Sequence, residues 1–129
     1  MQKGSVYMTI QTMTQNGRTI ARIHSDAVQI RDVQSALDLL MNVKQETGCD
    51  RIALNKEAFC EEFFILSTRL AGEILQKFIN YQTRLAVYGD FSRYTSKPLR
   101  DFFYESNQGR DIFFVATAEE AVEKLSRVD

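Results

Sequence analysis

The sequence predicts an α/β domain built on a mixed sheet of four to five strands, and three observations carry that expectation. From Arg51 onward, short apolar runs alternate with helix-length amphipathic segments: RIALNK, CEEFFILSTRLAGEILQKFINYQ, TRLAVYGD, SKPLRDFFYESNQG and DIFFVAT. Strands separated by helices are joined by right-handed crossovers and lie parallel. Ahead of them, Val6, Met8 and Ile10 alternate with polar residues, Ile20 and Ile23 follow, and Asn16-Gly17 stands between the two runs. Asn-Gly tolerates the positive φ values of a tight I′ reversal, so this pair of strands should be an antiparallel hairpin. Finally, 129 residues with 44% hydrophobic and 26% charged side chains fit one domain over residues 1–129, and no Pro/Gly/Ser-rich stretch offers a linker.

The elements follow in the order β-β-α-β-α-β-α-β-α. After the hairpin the period becomes helical from about Asp32: Val33, Ala36, Leu37, Leu40, Met41 and Lys44 fall on one stripe, Asp32 and Ser35 can cap the first turn, and Gly48 supplies a left-handed stop. A long central helix is expected from about Phe59 to Tyr81, with Phe63, Leu66, Leu70, Ile74 and Phe78 on its apolar face. Gly72 in its middle points to close packing against the sheet or a partner helix. Glu61, Glu62, Arg69, Glu73, Gln76 and Lys77 make its wet side. Pro98 suits the first turn of the next helix, which should end at a left-handed Asn107-Gln108-Gly109 stop. Thr117 and Glu120 form a capping box for the last helix, which turns Ala118, Ala121, Val122 and Leu125 inward.

Composition removes several function classes. Lys and Arg number 16 against 17 Asp and Glu, with no block of like charge, so nothing draws this surface to nucleic acid or to anionic lipid. No window is long and apolar enough to cross a bilayer, and the start of the chain has no apolar run of signal-peptide length, so a cytoplasmic protein is expected. Cys49 and Cys60 are the only cysteines and His24 the only histidine, too few ligands for structural zinc. Both thiols are expected to be small buried hydrophobes. No cofactor or metal is called for. Phosphate loops of the GxxxxGK[ST] type and GxGxxG turns are absent, and His24 stands in no catalytic motif.

Geometry then indicates where a site would lie. In open α/β sheets ligands collect beyond the carboxyl ends of the parallel strands, which here carry Asn55-Lys56-Glu57, Gly89-Asp90-Phe91-Ser92 and Thr117. Lys56, Asp90, Ser92 and Tyr94 are therefore the candidate ligand-binding residues. A plainer role is also open to them: Asp90 capping the exit loop of its strand, with Lys56 and Glu57 solvated. Glu105, Ser106 and Asn107 have a similar plain role, tying down the turn at Gly109.

The runs AGEILQKF, AVYGDFS, SKPLRDF and YESNQG resemble a bacterial family known only as domain of unknown function 4180, over roughly residues 5 to 126. The order of elements also resembles the STAS-like fold of sporulation anti-sigma-factor antagonists. The first resemblance implies a small cytosolic protein and imports no activity. The second would imply a phosphorylated serine at the helix start after the second α/β strand, but Lys56 to Glu62 holds no Ser or Thr, and the first hydroxyl beyond it is Ser67. The phosphoswitch is not expected to carry over.

Two function classes remain. The first is a non-catalytic regulatory module that binds a protein or small-molecule ligand, expected as a homodimer because 9 Phe and 5 Tyr exceed what one small core readily hides. The second is a small enzyme using Asp90 as acid or base, with Lys56 or Tyr94 supporting charge.

Overall fold

The computed structural model describes residues 8–129, so Val6 of the expected hairpin lies outside the described residues. Strands β1 (Met8–Gln15) and β2 (Arg18–Ser25) pair antiparallel in unbroken register from Met8 opposite Ser25 to Gln15 opposite Arg18. Asn16 and Gly17 take φ values of 55° and 76°, the two left-handed residues of a I′ turn. Three further strands, β3 (Arg51–Asn55), β4 (Arg84–Tyr88) and β5 (Ile112–Val115), continue the sheet in parallel, giving the spatial order β1-β2-β3-β4-β5.

Because sequence neighbours are sheet neighbours and each crossover has the same hand, helices α1 (Val33–Thr47), α2 (Leu70–Asn80) and α3 (Lys97–Gln108) all cover one face. Helix α4 (Ala118–Arg127) is the one helix among the described residues that crosses the other face. The strand pleat sorts the core accordingly: Ile23, Ile52, Leu54, Leu85, Val87 and Phe114 pack beneath α1–α3, while Ile20, Ala53, Ala86 and Phe113 meet Ala121, Val122 and Leu125 of α4. The last carbonyls of α4 are capped by arginines from the sheet: Arg51 Nη1 donates to Leu125 O and Val128 O, both at 2.6 Å, and Arg18 Nη1 donates to Ser126 O at 2.9 Å.

The helix stripes and stops correct the sequence reading in detail. α1 begins as expected, with Asp32 and Ser35 capping each other reciprocally, and ends at Gly48 with φ 74°. Its buried stripe is Ala36, Leu39, Leu40 and Val43, however, and Met41 is 43% exposed. α3 carries Pro98 in its first turn, as expected, but Gly109 is extended rather than left-handed. The polar end of α3 acts differently: the Asn107 amide accepts from Phe114 N at 2.7 Å and donates to Phe114 O at 3.0 Å, closing the outer edge of β5. Thr117 accepts from Glu120 N as foreseen, while the Glu120 carboxylate reaches one residue further, to Ala116 N.

The largest departure is the central helix, which runs only over Leu70–Asn80. The expected first half instead forms two short 3-10 turns, Glu61–Phe64 and Leu66–Thr68, and a third, Lys56–Ala58, stands just ahead of it. The cause is competition for backbone groups. Gln29 N and Ile30 N both donate to Ala58 O, and Cys60 N donates to Ile30 O, so Phe59 is drawn into an extended bridge with Ile30 and cannot enter a helix. Thr68 then bonds back to Glu62 O and Ile65 O, and Arg69 turns left-handed at φ 65° just before α2. This path buries Phe59, Phe63 and Phe64 together, with ring centroids 4.7 and 5.0 Å apart along the series. Gly72, expected at a close contact, has open space where a Cβ would stand.

Candidate functional site

At the carboxyl end of β4 the chain leaves the sheet through Gly89, whose φ of 156° belongs to glycine. The stem of Lys56, arriving from the end of β3, lies over that glycine and is only 15% exposed along its side chain. Asp90 follows. Its Oδ1 accepts from Ser92 N at 2.9 Å, an Asx turn that shapes the loop. Hydrogen bonds from the Ser92 side chain and backbone, helped by the Lys56 charge, hold the Asp90 carboxyl below the usual carboxylate range. Tyr94 stacks on Phe64 with centroids 4.9 Å apart, and its hydroxyl stands 3.5 Å from Glu61. Arg93 lies over the same ring and pairs with Glu61, while Lys56 Nζ is 5.8 Å from the ring centre.

All four sequence-selected residues, Lys56, Asp90, Ser92 and Tyr94, thus gather at one strand-end corner, three of them on the wall of an open crevice of about 380 Å³. Its floor is aromatic. Phe91, Phe103 and Phe114 contact one another with centroids 5.0, 5.9 and 4.6 Å apart. Arg100 stands on the rim, and among the described residues its guanidinium has neither an ion pair nor a hydrogen bond. Sequence reasoning missed Phe103, Phe114 and Arg100. Arg100 and Phe103 were within reach of helical spacing, since residues three apart share a face of α3.

Neighbouring groups behave otherwise. Glu57 pays for partial burial, but hydrogen bonds from its own backbone N–H and from Asn55, with the Lys56 charge, leave its carboxyl below the ordinary range. The Asn55 amide is buried and grips Ser25, accepting from its N–H and donating to its carbonyl, both at 2.8 Å. His24 lies on the opposite face of the sheet, beside Thr9, Gln11, Arg22 and Tyr88, and meets Asp26 at 3.1 Å. It is therefore no base for the crevice. Cys49 is buried as expected. Cys60 is only half-buried, and desolvation pushes its thiol up, away from reactivity.

Fold and site together define a small mixed-sheet α/β domain with an aromatic-floored crevice beyond the ends of β4 and β5. No helix among the described residues is long and apolar enough to cross a membrane. Residues 15–125 match the family described as domain of unknown function (DUF4180), and the chain belongs to that family. The matched span omits most of β1. A search of curated proteins finds no match.

Proposed function

We propose that this protein is a non-catalytic binding module whose crevice takes a small molecule with a flat apolar body and one acidic group. The observation that carries the reading is the pairing of an aromatic floor with an unpartnered arginine: Phe91, Phe103 and Phe114 suit a planar apolar surface, and Arg100 on the rim offers a fork for a carboxylate or phosphate. The small-enzyme alternative draws less support. Asp90 is ionised and engaged as a loop cap, which suits a structural anion and not a proton shuttle poised near neutrality.

The experiment is a fragment titration followed by backbone amide chemical shifts, comparing aromatic carboxylates with the matched aromatic amines. Carboxylates should move Phe91, Ser92 and the first turn of α3, and Arg100→Gln should abolish this while leaving the melting temperature unchanged. Equal binding of the amines, or unaltered binding by Arg100→Gln, would sink the reading.

A cytoplasmic, bacterial regulator of STAS-like fold is the wider setting we infer; two free thiols suit a reducing compartment. Self-association finds its support away from the aromatics, which mostly pack within the chain. The outer side of α2, with Gly72 open and Ile79 exposed one helical repeat further on, is the surface we propose for a homodimer. Sedimentation at micromolar concentration tests it, because a 14.9 kDa species alone would remove the dimer.

A further inference from the structure

The two edges of the sheet are treated differently. At β5 the Asn107 side chain occupies the outward N–H and C=O of Phe114. At β1 nothing among the described residues does the same. Two-residue hairpin geometry makes Gln15 and Arg18 a hydrogen-bonded pair, so that Met13, Gln11 and Thr9 face β2 and the backbone groups of Ile10, Thr12 and Thr14 face outward. β1 also lacks the usual guards of an edge strand: MTIQTMTQ has no lysine, no proline and no bulge in its register.

Beside this edge, on the α1 face, runs a groove of about 390 Å³. Its apolar lining is Met8, Ile10, Leu39 and Val43, and its charged groups are Asp38 and Glu46, with no lysine or arginine. Neither carboxylate has an ion pair among the described residues; Asp38 only accepts from Gln34 Nε2.

We infer that the β1 edge and the β1–α1 groove dock an extended basic peptide segment, which adds a strand to the sheet and sets its positive side chains against Asp38 and Glu46. This surface is separate from the crevice at the ends of β4 and β5. Strand addition uses main-chain hydrogen bonds for affinity and alternate side chains for specificity. Asp38 and Glu46 are eight residues apart on α1, about 12 Å at ~1.5 Å per residue. Four residues of a strand span about 13 Å at ~3.3 Å each. The matching segment therefore reads basic-x-apolar-x-basic, its central side chain entering between Ile10, Leu39 and Val43. Charge argues against a second copy as the occupant: a two-fold axis beside β1 would bring Asp38 and Glu46 of one groove toward the same carboxylates of the other.

The test is a titration of the full chain with a synthetic seven-residue peptide of threonine carrying lysine, valine and lysine at alternate positions, with a glutamate-for-lysine version as control. The lysine peptide should shift Ile10, Thr12, Asp38 and Val43 and slow exchange of the Ile10 and Thr12 amides. Asp38→Lys with Glu46→Lys, both at exposed positions, should weaken it at least tenfold and let the glutamate peptide bind. Four results would overturn the proposal: no shifts along β1, equal binding of the two peptides, a β1-edge dimer that excludes the peptide, or binding only after residues 1–7 are removed. Shifts at Ser92 and Arg100 belong to the crevice and report on that site alone.

Discussion

A Cβ on Gly89 would stand 3.0 to 3.2 Å from three carbons of the Lys56 stem, and its φ of 156° is one that other residues rarely adopt. Gly89→Ala should therefore cost about 1–3 kcal/mol through backbone strain and displacement of Lys56. Urea denaturation measures the first effect, and amide shifts at Asp90 and Tyr94 report the second. A loss below a few tenths of a kcal/mol would mean that the loop can reorganise freely. The sequence placed Lys56 and Asp90 at neighbouring strand ends but could not show that one lies across the exit of the other, because that contact joins β3 to β4 and has no local signature. The Arg100–Phe103 pair went unread although spacing places both on one face of α3; the unpartnered charge of Arg100 had no local signal at all, since partners are a matter of three dimensions.

Among the elements, α2 separates core from surface within a few residues. Ile74 and Phe78 are wholly buried, Leu70 is half-buried at the first turn, and Gly72 faces open space. Ile74→Ala should cost about 2–5 kcal/mol by leaving a cavity, and Leu70→Ala should cost clearly less. Gly72→Ala should stabilise by up to about 1 kcal/mol, because a helical glycine with no neighbour gives only backbone entropy to the unfolded chain. Chemical denaturation of the three variants checks the order; a destabilising Gly72→Ala would reveal a contact at that face. The hairpin, α1 and α4 were legible because turn chemistry and caps marked their ends, although the buried stripe of α1 runs through Leu39 and Val43 and not through Met41. The stretch from Phe59 to Arg69 was not: its apolar spacing imitates a helix, while the bridge from Phe59 to Ile30 that prevents one depends on residues almost thirty positions away.

For the whole molecule, stability against pH follows from carboxylates held below their ordinary values. Asp32 is lowered by the backbone and side-chain hydrogen bonds of Ser35, Asp90 by those of Ser92, and Glu57 by its hydrogen bonds and Lys56 against the cost of burial. A carboxyl whose folded pKa is depressed stabilises the fold fully above its unfolded pKa, and that contribution fades as pH falls through the folded value. The unfolded references are 3.8 for Asp and 4.5 for Glu. Stability should be insensitive to these three groups near neutrality and should fall on acidification below about pH 5. Asp32→Asn should shallow that fall. Denaturation midpoints from pH 7 to pH 3 decide it, and an unchanged acid slope would remove Asp32 from the account. The alternation of elements made the layered architecture legible, whereas the assignment of three helices to one face and one to the other required the strand order.

That strand order also describes how the sheet can be made. Every strand pairs with the one synthesised just before it, so the hairpin can close first and each later strand can join the growing margin without threading past its predecessors. The final margin is β5, and the residue that seals it, Asn107, has already left the ribosome when Phe114 emerges. The nascent sheet thus carries its own stopper for the border that β5 makes, while α4, emerging after all five described strands, shuts the face opposite α1, α2 and α3.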